Sequence, residues 1–204
     1  MKKLFFISLL SILIASCKTI TKIYLGVKNP SFKTHKQLND FLVKKDLNQS
    51  SIYYIKSWKN YEKLLNEKYS SFPEAYFFNK DGDFVNYKKD SRECNANVGE
   101  FIKNLTEFSN FKTVKTKNIK IFEDNICNNK NEKFKASDIN VIITWATFVG
   151  KVNKNKAFEW IELIEEAKRK GININYYLVN YDLQESWKLS DNEKKGILDA
   201  FKIQ

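Results

Sequence analysis

The chain has 204 residues, with 35 Lys and Arg against 24 Asp and Glu for a formal net charge of +11. The lysines are scattered among acids and the arginines number only two (Arg92 and Arg169), so the charge reads as a solvated surface, attractive to anionic lipid heads. It excludes a nucleic-acid interface, where Arg would be favoured. A single histidine (His35) and six scattered glycines argue against zinc centres, which need three or four ligands in close array, and against a glycine-rich phosphate cradle.

Met1-Lys2-Lys3, the apolar run Leu4 to Ala15 and the small Ser16 before Cys17 have the layout of a secretory signal. Roughly 18 or more apolar residues span a bilayer, and this run is shorter. Residues 1–16 are therefore expected to be a leader, and the formal charge falls to +9 without Lys2 and Lys3. Residues 17–33 read as a tether with one extended piece at Ile23-Tyr24-Leu25, ended by Asn29-Pro30.

From residue 34 onward the pattern is that of an α/β domain, whole (34–204) or in two halves (34–110 and 118–204). Thr34 and Gln37 form a capping box before the apolar stripe Leu38, Phe41 and Leu42. This helix start is expected to leave His35 exposed. Ile52 to Ile55 is β-branched and aromatic, hence a strand. Trp58, Tyr61, Leu64 and Leu65 then share a helix face. Phe72 to Val85 reads as two strands about Asp81-Gly82, the dipeptide of a type I′ turn. Val98, Phe101, Ile102 and Leu105 recur at helical spacing. Residues 106–138 are polar and read as irregular, apart from a strand at Ile119 to Phe122 and an exposed loop at Asn125 to Lys133.

Ile139 to Ala146 is the most apolar piece after the leader and suits a central strand covered on both faces. Phe158, Ile161, Ile164 and Ala167 make a helix that stops at Gly171, and Ile172 to Val179 makes a further strand. Ser190 and Glu193 cap a last helix bearing Ile197, Leu198 and Phe201. Strands alternating with helices, plus one hairpin, predict a mixed sheet with flanking helices.

Two resemblances sharpen this reading. Ile14-Ala15-Ser16-Cys17 resembles the lipobox of bacterial lipoproteins, which implies acylation of Cys17. It also implies stable anchoring in a membrane by several acyl chains and a location in the cell envelope, facing the periplasm or in the outer membrane. Separately, Trp145-Ala146-Thr147-Phe148-Val149-Gly150-Lys151-Val152 is similar to the thioredoxin turn Trp-Ala-x-aromatic-Cys-Gly-Pro-Cys. Leu178 to Asp182 resembles that family's next strand with its Asn-x-Asp ending. Phe72-Pro73 and the hairpin after it are similar to the family's cis-proline strand, which makes Pro73 a candidate cis-proline. The resemblance implies a thioredoxin-like fold whose hairpin half comes first, either as a permuted domain or as a separate unit.

Val149 and Val152 stand where the family has its redox cysteines. Thiol–disulfide exchange needs a thiolate and a resolving sulfur, and valine supplies neither. Trp145, Val149, Gly150 and Val152 thus mark a degenerate redox site. Export favours disulfides, and the two cysteines after Cys17 allow one pairing, Cys94 with Cys127; the alternative is two separate, partly buried thiols. No catalytic residue, metal or cofactor is expected. His35 is the sole histidine available to a nucleophilic device, and Glu162, Glu165 and Glu166 read as a solvated helix face. The expected function is a membrane-anchored, non-catalytic binding or accessory lipoprotein whose partners are a lipid membrane and a protein. The alternatives are a redox-linked envelope protein using Cys94 and Cys127, or an immunity-type or envelope-complex lipoprotein.

Overall fold

The apolar run that follows residue 138 becomes the middle of a seven-stranded sheet. The computed structural model describes residues 24–45, 47, 52–88 and 97–202. In chain order its elements are α1 (His35–Val43), β1 (Ile52–Ile55), α2 (Trp58–Asn66), β2 (Glu74–Asn79), β3 (Asp83–Val85), α3 (Val98–Lys103), β4 (Thr113–Asn118), α4 (Lys120–Asn125) and β5 (Ile126–Cys127). They are followed by β6 (Ile139–Trp145), α5 (Glu159–Arg169), β7 (Ile174–Asn180) and α6 (Asp191–Ala200).

The strands lie in the order β4-β3-β2-β6-β7-β1-β5. β6 runs parallel to β7, from Ile139 opposite Ile174 to Trp145 opposite Asn180. It runs antiparallel to β2, from Glu74 opposite Thr144 to Asn79 opposite Ile139. Strands from both halves of the chain therefore lie side by side in one sheet. β1 is parallel to β7, while β3, β4 and β5 join by antiparallel pairing. A mixed sheet with helices packed on it is compatible with a thioredoxin-like α/β class, with the hairpin half first in the chain.

Both faces are covered, which is why every residue of β6 is buried. Val141, Ile143 and Trp145 pack with Leu38 and Leu42 of α1, Ile102 of α3 and Ile164 of α5. Ile142 and Ala146 face the other layer, with Tyr61 and Leu64 of α2, Phe122 of α4 and Ile197 of α6. Each such aliphatic side chain contributes about 1.5–3 kcal/mol relative to an exposed one.

The end signals read in the sequence are present. Thr34 and Gln37, and Ser190 and Glu193, make reciprocal capping boxes. α5 ends in a Schellman motif: Gly171 takes φ +90°, its N–H donates to the Lys168 carbonyl, and the Ile172 N–H donates to that of Ala167.

Five expectations are corrected. The exposed loop expected at Asn125 to Lys133 begins instead with buried Asn125, the strand β5 and buried Asn128. The hairpin turn is not type I′: of Asp81 and Gly82 only the glycine has positive φ (+81°), and the Gly82 N–H donates to the Asn79 carbonyl. With Phe78 opposite Phe84, this is a three-residue loop closed by a left-handed glycine. The strand expected at Ile119 to Phe122 lies instead at Thr113–Asn118. There the Asn118 side chain accepts from the Lys120 N–H and starts α4, so that Phe122 is buried from a helix. Tyr24 and Leu25 are helical rather than extended. His35 is half-buried rather than exposed, stacked on the Tyr54 ring at 3.9 Å and 10°.

Candidate functional site

The turn that resembles thioredoxin's, Trp145 to Val152, sits where β6 leaves the sheet. Trp145, fully buried at the end of the strand, stacks on Phe41 of α1 at 5.7 Å. The chain then makes a 3-10 turn, Thr147–Val149, and a helical turn, Lys151–Asn153. It continues through a π-type stretch, Lys154–Phe158, into α5. Val149 is buried and Val152 half-buried. The buried Asn153 holds this geometry by donating to the Ala146 carbonyl (2.6 Å).

Asp182, after β7, fixes the turn from the other side. Its carboxylate accepts from the Thr147 N–H (2.7 Å), the Thr147 hydroxyl (2.6 Å) and the Asn180 side-chain amide (2.7 Å). Burial pushes this carboxyl above its ordinary value, against the opposing pull of the Thr147 and Asn180 hydrogen bonds. The Asn-x-Asp ending is thus a clamp on residue 147, and all three donors reaching the carboxylate are internal.

The Phe72–Pro73 bond is cis. Phe72 meets Phe148 edge-on at 5.4 Å, and the Thr144 hydroxyl donates to the Ser71 carbonyl while accepting from the Glu74 N–H. The fold therefore brings Pro73, Trp145, Val149, Gly150 and Val152 into one neighbourhood.

A further segment joins them that sequence reasoning read only as a tether. The Lys28 N–H donates to the Phe148 carbonyl (2.8 Å), the Lys33 N–H to the Leu183 carbonyl and the Glu185 N–H to the Lys33 carbonyl. Residues 24–33 thus lie as a strap across the turn. The strap is close enough that a Cβ on Gly150 would fall on the backbone oxygens of Leu25 and Gly26. Between strap and turn is a cavity of about 390 Å³, lined by Lys28, Lys33, Lys45 and Lys151, by Phe41, Phe148 and Phe158, and by no carboxylate. These lysines carry no local motif and come from three separate stretches of chain, the strap, the end of α1 and the turn.

Cys127 does not join the site. It lies on β5 at the far edge of the sheet, separated from β6 by β7 and β1. Its thiol is free, half-buried and pushed up by burial, with Lys56 opposing. It lines a second cavity of about 390 Å³ with Tyr53, Lys56, Glu123 and Asp124. Cys17 and Cys94 lie outside the described residues, so the pairing of Cys94 with Cys127 has no described geometry.

His35 does meet a hydroxyl. Its Nε2 is 3.2 Å from Gln184 Oε1 and 3.4 Å from Ser186 Oγ, while the Ser186 hydroxyl donates to the same Gln184 oxygen. The arrangement secures the start of α1 against residues 184–186. Among the described residues no group of three or more His, Cys, Asp or Glu is placed to hold a metal ion, and no helix is long and apolar enough to cross a membrane. Compared with protein-family models, with curated proteins and with solved structures, the chain matches none.

Proposed function

We propose that the chain is a bacterial lipoprotein, acylated at Cys17 and held in the cell envelope, whose thioredoxin-like domain serves as a binding or accessory module for a protein partner. The observation that carries the non-catalytic part is the strap. Backbone from residues 25 and 26 rests on Gly150, at the point where a thioredoxin would present its cysteines, and valines occupy both sulfur positions. The redox-linked alternative is less well supported, because burial raises the Cys127 thiol and a thiolate is the reactive form. The anchoring part rests on the lipobox resemblance and on a leader shorter than a spanning helix.

Metabolic labelling with an alkyne fatty acid tests the anchor: label should enter the wild-type chain and be absent from Cys17→Ser. Undiminished label on the variant would overturn it. An insulin-reduction assay tests the module, with no activity expected. Robust reduction by the wild type, lost in Cys94→Ser, would establish the redox alternative instead.

A further inference from the structure

The strap cavity differs from the other cavities in its charge. Lys28, Lys33, Lys45 and Lys151 line it with no acid among the lining residues; Lys33 also acts at longer range on the buried Asp182 carboxylate. The third cavity, lined by Lys130, Lys133, Lys135 and Lys168, also contains Glu132. There Lys130 pairs with Glu132 at 3.9 Å and Lys168 with Glu165 at 3.2 Å. Of the three cavities described, the strap cavity alone has four lysines and no carboxylate in its lining.

Three observations point to what it meets. Of the two large hydrophobic side chains that are exposed among the described residues, Tyr24 (70%) borders this region. Tyr24 lies under the Lys151 ammonium, 4.5 Å from its ring centre. An aromatic ring beside lysines with apolar stems suits the boundary between water and lipid heads. Seven residue steps separate Tyr24 from Cys17, a reach of at most ~25 Å at ~3.3–3.6 Å per residue. Anchoring at Cys17 therefore keeps Tyr24 within ~25 Å of the membrane surface, near enough for the lysines to come within the Debye length, ~8–10 Å, over which anionic heads attract them.

We propose that the strap cavity is an anionic-lipid site. The phosphate of a headgroup sits among Lys28, Lys33, Lys45 and Lys151, so that the domain docks on its own membrane with the degenerate turn facing the lipid. The proposal rests on the lipoprotein reading for its proximity argument and on the cavity for its chemistry.

The test uses the acylated chain extracted from membranes and reconstituted in vesicles of neutral phosphatidylcholine, with or without phosphatidylglycerol. Amine-reactive labelling is then read lysine by lysine. On anionic vesicles the four lysines should label about fivefold more slowly than on neutral ones, the effect of a single lysine at an anionic surface. The exposed Lys115 on β4 should be unchanged. In the double variant Lys28→Gln with Lys151→Gln, protection of Lys33 and Lys45 should fall. Equal labelling of the four on both vesicles would overturn the site, as would full protection of the remaining two in the double variant. Protection reproduced by free glycerol phosphate on neutral vesicles would assign the cavity to a soluble anion and overturn membrane docking. Retention of the chain on neutral vesicles reports the Cys17 anchor separately, so a failed anchor and a failed headgroup site give different results.

Discussion

Gly150 holds φ +58° and ψ −128°, a conformation that side chains rarely adopt, directly beneath the strap. Alanine there meets two penalties, the backbone strain and the collision with the Leu25 and Gly26 oxygens. Gly150→Ala should therefore displace the strap and cost about 1–3 kcal/mol. Hydrogen exchange at the Lys28 amide, bonded to Phe148 in the wild type, should accelerate toward that of an open amide. Unchanged protection would show that the strap does not depend on this glycine. Asp182 gives a second prediction at this scale. Asp182→Ala strands the Thr147 N–H, its hydroxyl and the Asn180 amide, and a buried unsatisfied donor costs about 1–3 kcal/mol, so a loss of about 3 kcal/mol or more is expected in urea unfolding. Because burial raises the folded value above the ordinary 3.8, the native state binds this proton more tightly than the unfolded state. The stability that it contributes is complete below 3.8 and declines as pH rises through the folded value. The wild-type urea midpoint should fall more steeply across that window than that of Asp182→Asn; identical slopes would refute the assignment.

At the scale of elements, the end of α5 offers a clean measurement of a cap. Gly171 has φ +90° with nothing within 4 Å of a Cβ built on it, so Gly171→Ala meets backbone strain alone. The expected loss is about 1 kcal/mol, seen as a lower unfolding midpoint; a loss several times larger would imply an unseen steric conflict. This cap, the boxes at Thr34 and Ser190 and the buried run Ile139–Trp145 were legible in the sequence, because each is set by residues within a few positions of one another. β4 was not. Thr113–Asn118 is a half-exposed edge strand whose polar residues carry little pattern, whereas the apolar Ile119 to Phe122 is short enough to fit either a strand or the helix that it joins. The hairpin was legible as a hairpin, but its turn type was decided by the pairing of Phe78 with Phe84.

At the scale of the whole molecule, the two-layer burial of tyrosines governs the response to alkali. Tyr53, Tyr54, Tyr61, Tyr69, Tyr76, Tyr177 and Tyr181 are all raised above 10.0, chiefly by burial. Tyr53, Tyr54 and Tyr69 are pushed up to about 12. The folded state thus holds protons that the unfolded chain loses near pH 10, and the stability present below pH 10 is lost as pH rises from 10 toward 12. Tyrosinate absorbance should rise together with loss of the circular dichroism signal, as one transition in that window. Titration of these tyrosines near pH 10 in a chain that stays folded would contradict the buried placement.

The sequence by itself determined the class of the fold, a mixed sheet with helices on it, because that follows from local periodicity and from caps spaced three or four residues apart. It also marked the turn around Val149 and Val152, whose residues are contiguous, and the stretch Ile14 to Cys17 that resembles a lipobox. Only the tertiary structure decided which strands are neighbours, and so placed β2 beside β6 and Phe72 beside Phe148 across sixty residues or more. It alone turned residues 24–33 from a tether into a strap and gathered Lys28, Lys33, Lys45 and Lys151 around one cavity. Dispersed lysines have no period, and their charge acquires a location only when the sheet and α1 fix where each stem begins.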